Sequence, residues 1–130
     1  MTVHTTVVPS LAVSDASGAI DFYKRAFDAI EITRMTLPNG RVAYSEIGIG
    51  EARISVKDEN PEIGDLSPES LGGTPVCLLL QVPDVDATTR QAVAAGARVV
   101  IPVADREYGM RDGRLADPFG HFWIVHTPLQ

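Results

Sequence analysis

The chain repeats one order of predicted elements, and this repeat narrows the folds that it can adopt. In each half an apolar strand, valine-rich in the first half, leads into a helix, and three further strands follow the helix. An offset of 69 residues places Asp15 on Asp84, and both precede a helical pattern where an N-cap is expected. A separate match aligns Gly113-Arg114-Leu115 with Gly40-Arg41-Val42. The shared order predicts an α+β fold built from two βαβββ modules.

Hydrophobic periodicity and turn chemistry set the predicted bounds of the two modules. The first module, residues 5–57, is predicted to contain strands at 5–13, 30–37, 41–49 and 51–57 and a helix at 19–27. A connection rich in proline and glycine occupies residues 58–75. The second module, residues 76–127, is predicted to contain strands at 76–82, 98–103 and 121–127, a turn and strand within 107–116, and a helix from Asp84 to about Ala95. Pro9 predicts an edge or a bulge in the first strand.

Composition excludes several classes of protein. A chain of 130 residues fits a single domain with one core. Its net charge of −6 argues against a nucleic-acid partner, which would need a basic face. The single cysteine, Cys77, rules out an internal disulfide and fits a reducing compartment. No signal-peptide pattern or membrane-length apolar run occurs, so the sequence predicts a cytoplasmic protein without a membrane partner.

Two motifs carry a resemblance to a known family. One is the helical stretch Ala19-Ile20-Asp21-Phe22-Tyr23, and the other is Asp117-Pro118-Phe119-Gly120-His121, a turn that leads into the last strand. In this order, and with two βαβββ modules, the chain resembles the vicinal oxygen chelate superfamily of glyoxalases, bleomycin-resistance proteins and dioxygenases. Residues 67–75 are similar to those of a bacterial branch of that group. The resemblance implies cupped mixed sheets around a cavity, commonly across a homodimer.

The resemblance also implies four metal-ligand positions on four strands, which family enzymes fill with His or Glu. In this sequence they are Val8, Ser55, Cys77 and Ile124. Moving one residue along any of these strands supplies no imidazole or carboxylate either. The sequence therefore predicts that the family's metal site is missing, and it indicates neither a cofactor nor a catalytic residue. It favours a metal-free binding protein of the bleomycin-resistance type, which sequesters a bulky, partly aromatic antibiotic or peptide-like ligand.

Strand parity selects the side chains that the cup would present to a ligand. Aromatic and methionine side chains suit flat or irregular ligands, whereas Arg53 and Lys57 either receive an anionic group or lie at the rim in water. Residues 107–111 contain Gly109 and are interpreted as a lid. Trp123, of opposite parity, is expected under the helices. The predicted ligand-binding set is Val8, Ser10, Met35, Tyr44, Arg53, Ser55, Lys57, Cys77, Leu79, Tyr108, Met110, Phe122, Ile124 and His126.

Several alternatives stay open at the level of the sequence. Cys77 is either a nucleophile or, as the lack of a nearby base favours, a small thiol that lines the cavity. His121 is expected to brace the turn or the helix. The rival function is an enzyme for a small oxo or hydroxy acid, either metal-free or with a metal recruited by His126, Glu46 and Glu107. A structural or regulatory interaction domain is the third class, which a collapsed cavity would favour.

Overall fold

The computed structural model describes residues 2–130, which form two four-stranded mixed sheets with helices packed on one face. The elements are β1 (Ser10–Val13), α1 (Ala16–Phe27), β2 (Ile30–Thr36), β3 (Val42–Ile49), β4 (Ala52–Asp58), α2 (Pro68–Leu71), β5 (Cys77–Gln81), α3 (Val85–Ala95), β6 (Arg98–Asp105), β7 (Met110–Ala116) and β8 (Phe122–Pro128). The strand orders are β1-β4-β3-β2 and β5-β8-β7-β6. The β1–β4 and β5–β8 pairs are parallel, and the other pairs are antiparallel. The predicted α+β fold of two βαβββ modules is confirmed.

The offset of 69 residues relates the starts of the two long helices. Asp15 and Asp84 are the N-caps of α1 and α3, and their carboxylates accept hydrogen bonds from Gly18 N and Ala87 N, both at 3.1 Å. These bonds satisfy amide groups that a helix start leaves without a partner. The helices are 12 and 11 residues long. Within residues 2–130 no helix has the length and apolar character that crossing a membrane requires.

The second sequence match, between residues 113–115 and 40–42, is wrong. Gly40 corresponds instead to Gly109, again 69 residues on, and both lie in hairpin turns with φ of +87° and +86°. Gly113 lies inside β7, where a Cβ atom would stand 2.8 Å from Val103 Cγ2. Because Gly113 has no side chain, β6 can pack closely against β7 at this position. Gly113 is a strand residue and is not part of a turn.

Two predicted element starts need correction. β1 begins at Ser10, five residues later than predicted, and residues 2–7 are exposed without regular structure. Pro9 has no amide hydrogen for a ladder, although its carbonyl accepts one backbone bond from β4 at 2.8 Å. The first helix begins at Ala16, three residues earlier than predicted, because the cap is Asp15. The predicted strand at 5–13 is thus shorter and the helix at 19–27 longer.

The connection between the modules is folded. It contains a 3₁₀ turn at Pro61–Ile63 and the short helix α2. The Glu59 carboxylate accepts hydrogen bonds from Ser67 N at 3.1 Å and from Ser70 Oγ at 2.8 Å. The backbone bond from Ser67, followed by the Ser70 bond, holds the pKa of Glu59 below its ordinary value. These bonds fix α2 against the end of the first module.

An aromatic cluster joins the two modules at the core. Trp123 of β8 lies 4.8 Å from Phe27 and 5.4 Å from Tyr23, measured between ring centroids, and both partners belong to α1. Phe22 meets the Tyr23 ring edge to face at 5.4 Å. All four rings are buried, so this contact contributes apolar area and aromatic packing between the modules. The prediction that Trp123 packs under the helices is confirmed.

Asp117 fixes the Asp-Pro-Phe-Gly-His turn to this cluster. Its Oδ2 accepts hydrogen bonds from the Tyr23 hydroxyl at 2.5 Å and from Trp123 Nε1 at 3.0 Å. Its Oδ1 accepts the backbone N–H groups of Phe119 at 2.9 Å and His121 at 3.0 Å. Burial, followed by the neighbouring Asp117 charge, raises the pKa of Tyr23 well above its usual value, so Tyr23 remains a neutral donor.

The His121 ring lies 3.0 Å from the Ala12 carbonyl, measured from its Nε2 atom. The expectation that His121 braces the turn or the helix is corrected, because its ring contacts β1 instead.

Candidate functional site

Each sheet leaves one face open, opposite the helices, and alternation along the central strands decides which side chains lie there. Ser55 stands between the buried residues Ile54 and Val56 on β4. Ile124 stands between the buried residues Trp123 and Val125 on β8. Successive strand residues point to opposite faces, so Ser55 and Ile124 belong to the open faces. We call these the first open face, on β1–β4, and the second open face, on β5–β8.

The strand register gives each open face a central row of four residues. In the first sheet this row is Ser10, Ser55, Glu46 and Thr33. In the second sheet it is Leu79, Ile124, Arg114 and Ile101. The two rows correspond position by position along the strand order. The first sheet thus has a polar central row, whereas three of the four residues in the second row are apolar.

The first open face carries charged and soft side chains around Glu46. Arg53 Nε lies 3.6 Å from Glu46 Oε1. A hydrogen bond to Glu46 is the main reason that the pKa of Tyr44 is raised. Met35 lies opposite Tyr44 in the β2–β3 register. Lys57 is paired with Asp65 of the connection at 2.5 Å, so its ammonium group is already bound to a carboxylate.

Ser55, at the centre of the first face, is only 5% exposed, and its hydroxyl has no hydrogen-bond partner among residues 2–130. A buried hydroxyl without a partner costs about 1–3 kcal/mol. No contact within the described chain accounts for it.

The second open face holds a cavity of about 370 Å³. Its lining comprises two apolar side chains from the central row, a charged and aromatic group, and one glycine: Ile101, Ile124, Arg106, Tyr108, Asp112, Arg114 and Gly113. The mixture of apolar floor and few polar groups is typical of small-molecule sites. The volume of the cavity lies near the lower end of the range for small-molecule sites, roughly 300–1,000 Å³.

Both carboxylate oxygens of Asp112 accept hydrogen bonds within the wall of this cavity. Its Oδ1 accepts from Arg106 Nε at 2.8 Å and its Oδ2 accepts from the Tyr108 hydroxyl at 2.6 Å. Burial opposes ionisation, but the bonds from Tyr108 and Arg106 outweigh it and hold the pKa of Asp112 below its ordinary value. The same bond raises the pKa of Tyr108. Asp112 is therefore an anion whose charge is already balanced within the cavity wall.

Arg114 lines the same cavity as Asp112, and its guanidinium group lies over an aromatic ring. Its guanidinium carbon is 4.6 Å from the centroid of the Phe122 ring. No carboxylate, carbonyl or hydroxyl within residues 2–130 accepts a hydrogen bond from it or pairs with it. Its cross-strand neighbours on the open face are Ile124 and Ile101.

A second depression of about 320 Å³ lies at the seam between the modules. Its lining includes three predicted residues, Val8, Arg53 and Leu79, together with the indole of Trp123. Val8 precedes β1 and does not lie on a strand, because the ladder begins at Ser10. The predicted set is thus divided among the first open face, the second open face and this seam. These three places do not form a single cup within one chain.

The remaining predicted residues lie along β5, β7 and β8. Cys77 is half-buried and pairs with Phe122 across the β5–β8 ladder. His126 lies opposite Asp112, and its Nδ1 atom is buried without a partner within the described chain. Met110 is the first residue of β7.

The segment interpreted as a lid is a tight hairpin turn. Arg106 N donates to Met110 O at 2.7 Å and Gly109 N to Arg106 O at 3.2 Å. The side chains of Arg106 and Tyr108 are both bonded to Asp112. The glycine supplies the positive φ of a turn, and the interpretation of residues 107–111 as a hinged loop is corrected accordingly.

The sequence interpretation missed four side chains of the second cavity, namely Ile101, Arg106, Asp112 and Arg114. Asp112 and Arg114 follow the predicted residue Met110 at intervals of two, so the parity rule that selected Met110 also selects them. Ile101 had no such signal, because the β6–β7 register shifts on both sides of it.

The donor set does not fit the metal that family enzymes hold. Val8 and Ile124 have no donor atom, and the hydroxyl of Ser55 and thiol of Cys77 replace imidazole and carboxylate. Among residues 2–130 no group of three or more His, Cys, Asp or Glu side chains is placed to hold a metal ion.

The alternative donors named for a recruited metal are also separated. Glu46 is on the first sheet, His126 on the second, and Glu107 in an exposed turn. Within one chain these three side chains are not brought together.

Comparison with known proteins agrees with this architecture. The sequence model of the glyoxalase/bleomycin resistance protein/dioxygenase superfamily matches residues 2–125. The uncharacterized protein Mb0911c of Mycobacterium bovis is 41% identical over 131 residues, which covers 98% of this chain and 86% of that protein. The X-ray structure of the Arabidopsis thaliana At5g48480 gene product has a TM-score of 0.75 at 33% identity and covers 95% of this chain and 98% of its own. TioX from Micromonospora sp. ML1 has a TM-score of 0.73 at 25% identity, with 97% and 98% covered.

The chain therefore belongs to the glyoxalase/bleomycin resistance protein/dioxygenase superfamily, as its helix and turn motifs predicted. The positions where the resemblance implies metal ligands are occupied by Val8, Ser55, Cys77 and Ile124.

Proposed function

We propose that this protein binds a bulky, partly aromatic small molecule on its open sheet faces without a catalytic metal, in the manner of an antibiotic-sequestering protein. The observation that carries the proposal is the replacement of metal donors by Val8, Ser55, Cys77 and Ile124, with no metal-holding cluster elsewhere in residues 2–130. Sequestration requires only a concave apolar surface and a few polar contacts. The membership of bleomycin-resistance proteins in the same superfamily supports it.

The chemistry of the open faces supports a ligand with flat apolar parts. Ile101 and Ile124 line the cavity of the second face. The Phe122 ring lies beside this cavity and under the Arg114 guanidinium. Met35 and Tyr44 lie together on the first face. Methionine and aromatic side chains adapt to irregular ligands and stack on planar ones.

We also propose that a second copy of the chain completes each cup. Each open face exposes apolar side chains that no other element within residues 2–130 covers. On the second face one is Ile101. On the first face one is Ile32, which lies at a register shift in β2 with its Cδ1 atom near Gly48. On the first face the Glu46 carboxylate already lies beside Arg53, with Nε and Oε1 3.6 Å apart, so the apolar side chains rather than a charge pair carry this proposal. Placing the first face of one copy against the second face of the other would enclose a larger cavity between them.

A thermal-shift screen of purified, metal-analysed protein tests the binding function. The panel holds bulky aromatic and peptide antibiotics, small keto acids, and divalent manganese, nickel and zinc. A ligand that binds only the folded state stabilises it by about 2.7 kcal/mol at a hundredfold excess over Kd. We expect a rise in Tm with at least one bulky aromatic compound and none with keto acids or metals alone.

Two variants on β6, one inside the cavity and one outside it, test whether the compound binds in the cavity. Ile101, 45% exposed, lines the cavity, whereas Val99 on the same strand is 41% exposed and does not. We expect Ile101→Gln to weaken binding of the compound about tenfold, the loss of one apolar contact, and Val99→Gln to leave it unchanged. A Tm rise that requires added divalent metal, or bound stoichiometric metal in the fresh protein, would favour the enzyme and contradict sequestration.

A further inference from the structure

We infer that Arg114 is an oxyanion-binding group, so that the ligand of the second open face joins a carboxylate-like group to an apolar body. The inference rests on the proposed binding function and names the class of ligand. It starts from the contrast between Arg114 and two other arginines of the β6–β7 hairpin, Arg106 in the cavity lining and Arg111 on the side that faces α3. Arg106 is bound to Asp112, and Arg111 is bound to Asp86 and Asp105.

Arg114 has no acceptor within residues 2–130, although it lines the cavity. An arginine on a half-buried face ordinarily finds a carboxylate or carbonyl, as its neighbours do. Its guanidinium therefore has N–H donors free for a group that enters the cavity. A carboxylate, phosphonate or sulfonate accepts two such donors at once, which is the geometry that arginine recognises best.

The ring of Phe122 orients this cation. At 4.6 Å from the ring centroid, the guanidinium is within cation–π range and is held by a side chain on the neighbouring strand. A guanidinium that is already positioned loses less conformational freedom when it binds an anion. The apolar neighbours Ile101 and Ile124 place hydrophobic surface next to the same group. An anion with an apolar substituent therefore meets both halves of the site.

The local charge favours an anion even though Asp112 lines the same cavity. Both Asp112 oxygens are engaged, one by Arg106 and one by Tyr108, which leaves Arg114 as the unbalanced charge of the lining. Hydrogen bonds to an ionised partner are roughly twice as strong as neutral ones, and partial burial reduces their screening. A neutral amide isostere would gain the apolar contacts and one weaker bond to its uncharged carbonyl.

Matched probes on the unmodified protein separate the contribution of the charge from that of the apolar contacts. Calorimetric Kd values are measured for naphthalene-2-carboxylate, naphthalene-2-phosphonate and the neutral naphthalene-2-carboxamide. We expect both anions to bind the unmodified protein at least about tenfold more tightly than the amide, the difference made by charge-assisted bonds. The ratio of the two anions tells whether the site prefers a planar or a tetrahedral oxyanion.

Variants test whether Arg114 is the side chain that makes the anions bind more tightly than the amide. Arg114→Gln and Arg114→Met, the latter retaining an apolar contact with Phe122, are each expected to bring the anions to within about twofold of the amide, while the amide Kd rises by no more than about threefold. Arg90→Gln, on the exposed surface of α3, is the control and retains full discrimination. Glu46→Gln tests the rival arrangement in which Glu46 of a second copy occupies Arg114, and would then tighten anion binding.

Each result decides between the two proposals. Equal affinity for anions and amide in the unmodified protein, or discrimination that survives in both Arg114 variants, overturns the oxyanion inference and leaves ligand binding intact. Tighter anion binding in Glu46→Gln also overturns it, since the guanidinium would then be occupied in the dimer. No binding by any probe, together with a flat thermal-shift screen, overturns the binding function and the inference with it.

Discussion

Asp117 is a buried carboxylate whose four hydrogen bonds join the last hairpin to the first helix. Asp117→Asn keeps its size but places an amide among donors such as Tyr23 and Trp123, so at least one donor loses its acceptor. We expect the free energy of unfolding to fall by about 2–4 kcal/mol, measured by urea denaturation. The matched control is Asp21→Asn, which removes an exposed ion pair with Arg25 and should cost less than about 1 kcal/mol. Equal losses in the two variants would contradict this role.

The Tyr23 hydroxyl predicts how stability changes in alkaline solution. Burial and the Asp117 charge raise its pKa in the folded protein, whereas an unfolded tyrosine ionises near pH 10. The folded state therefore holds its proton longer, so this contribution is complete below about pH 10 and is lost as pH rises above it. For one such group, the free energy of unfolding falls by about 1.4 kcal/mol for each pH unit between the pKa of the unfolded state and that of the folded state.

We therefore expect Tyr23→Phe to be less stable than the unmodified protein at pH 8, because a bond to Asp117 is lost, but to lose less stability between about pH 10 and 11. Urea denaturation at a series of pH values measures this. Tyr108→Phe is the comparison: its bond to Asp112 also raises its pKa, but the side chain is exposed, so its effect on the pH dependence is expected to be smaller. Parallel curves for the unmodified protein and Tyr23→Phe would show that Tyr23 ionises normally.

Parity along a strand predicted much of the candidate site, because its physical basis is local. Ser55 and Ile124 were assigned correctly to the open faces, since apolar residues flank each of them in sequence. Alternation along one strand does not predict which side chains of two neighbouring strands are in contact. The stacking of Arg114 on Phe122, and its lack of an acceptor, depend on which residues β7 places beside β8. Register of that kind is set by the whole sheet.

At the scale of elements, Gly113 controls how closely β6 and β7 pack. A Cβ atom there would lie 2.8 Å from Val103 Cγ2 and 3.1 Å from the Ile101 carbonyl oxygen, so part of the collision is with backbone. We expect Gly113→Ala to lower the free energy of unfolding by about 1–3 kcal/mol, as overpacking does. Because Ile101 lines the cavity, the same variant should weaken ligand binding.

The matched control is Gly48→Ala on β3, where the nearest atom to a new Cβ is Ile32 Cδ1 at 3.6 Å, an ordinary contact. We expect that change to alter stability by less than about 0.5 kcal/mol in the same urea experiment. Adding Val103→Ala to Gly113→Ala should restore part of the loss but not all, because the Ile101 carbonyl remains. Full restoration would place the strain in the side chain alone.

The ends of elements were harder to predict than their order. The helix caps and the Asp-Pro-Phe-Gly turn were correct because they depend on neighbouring residues. The first strand was predicted too long, since the β-branched residues 5–8 have strand propensity but no partner strand in the described chain. Likewise the irregular pairing around Ile101 leaves no mark on sequence alternation.

At the scale of the molecule, the repeat predicted the two modules but not how they join. The joint is the contact of Trp123 with Phe27 and Tyr23, and all three are apolar residues that the pattern assigns only to a buried face. Helices α1 and α3 pack together on the same side. The open faces are left without a cover, and this arrangement is what makes a second copy the proposed partner.

The dimer is the last prediction, and the mass of the protein in solution tests it. One chain has a mass of 14.0 kDa, so a dimer has about twice that mass. Ile32, 49% exposed on the first open face, is expected to be buried by the second copy, and Ile32→Lys should shift the protein towards monomer by leaving a charge unpaired in the interface. Leu71→Lys, at a residue 60% exposed on α2, is the control. Light scattering across a dilution series measures both, and a monomer at every concentration of the unmodified protein would mean that each open face binds its ligand alone.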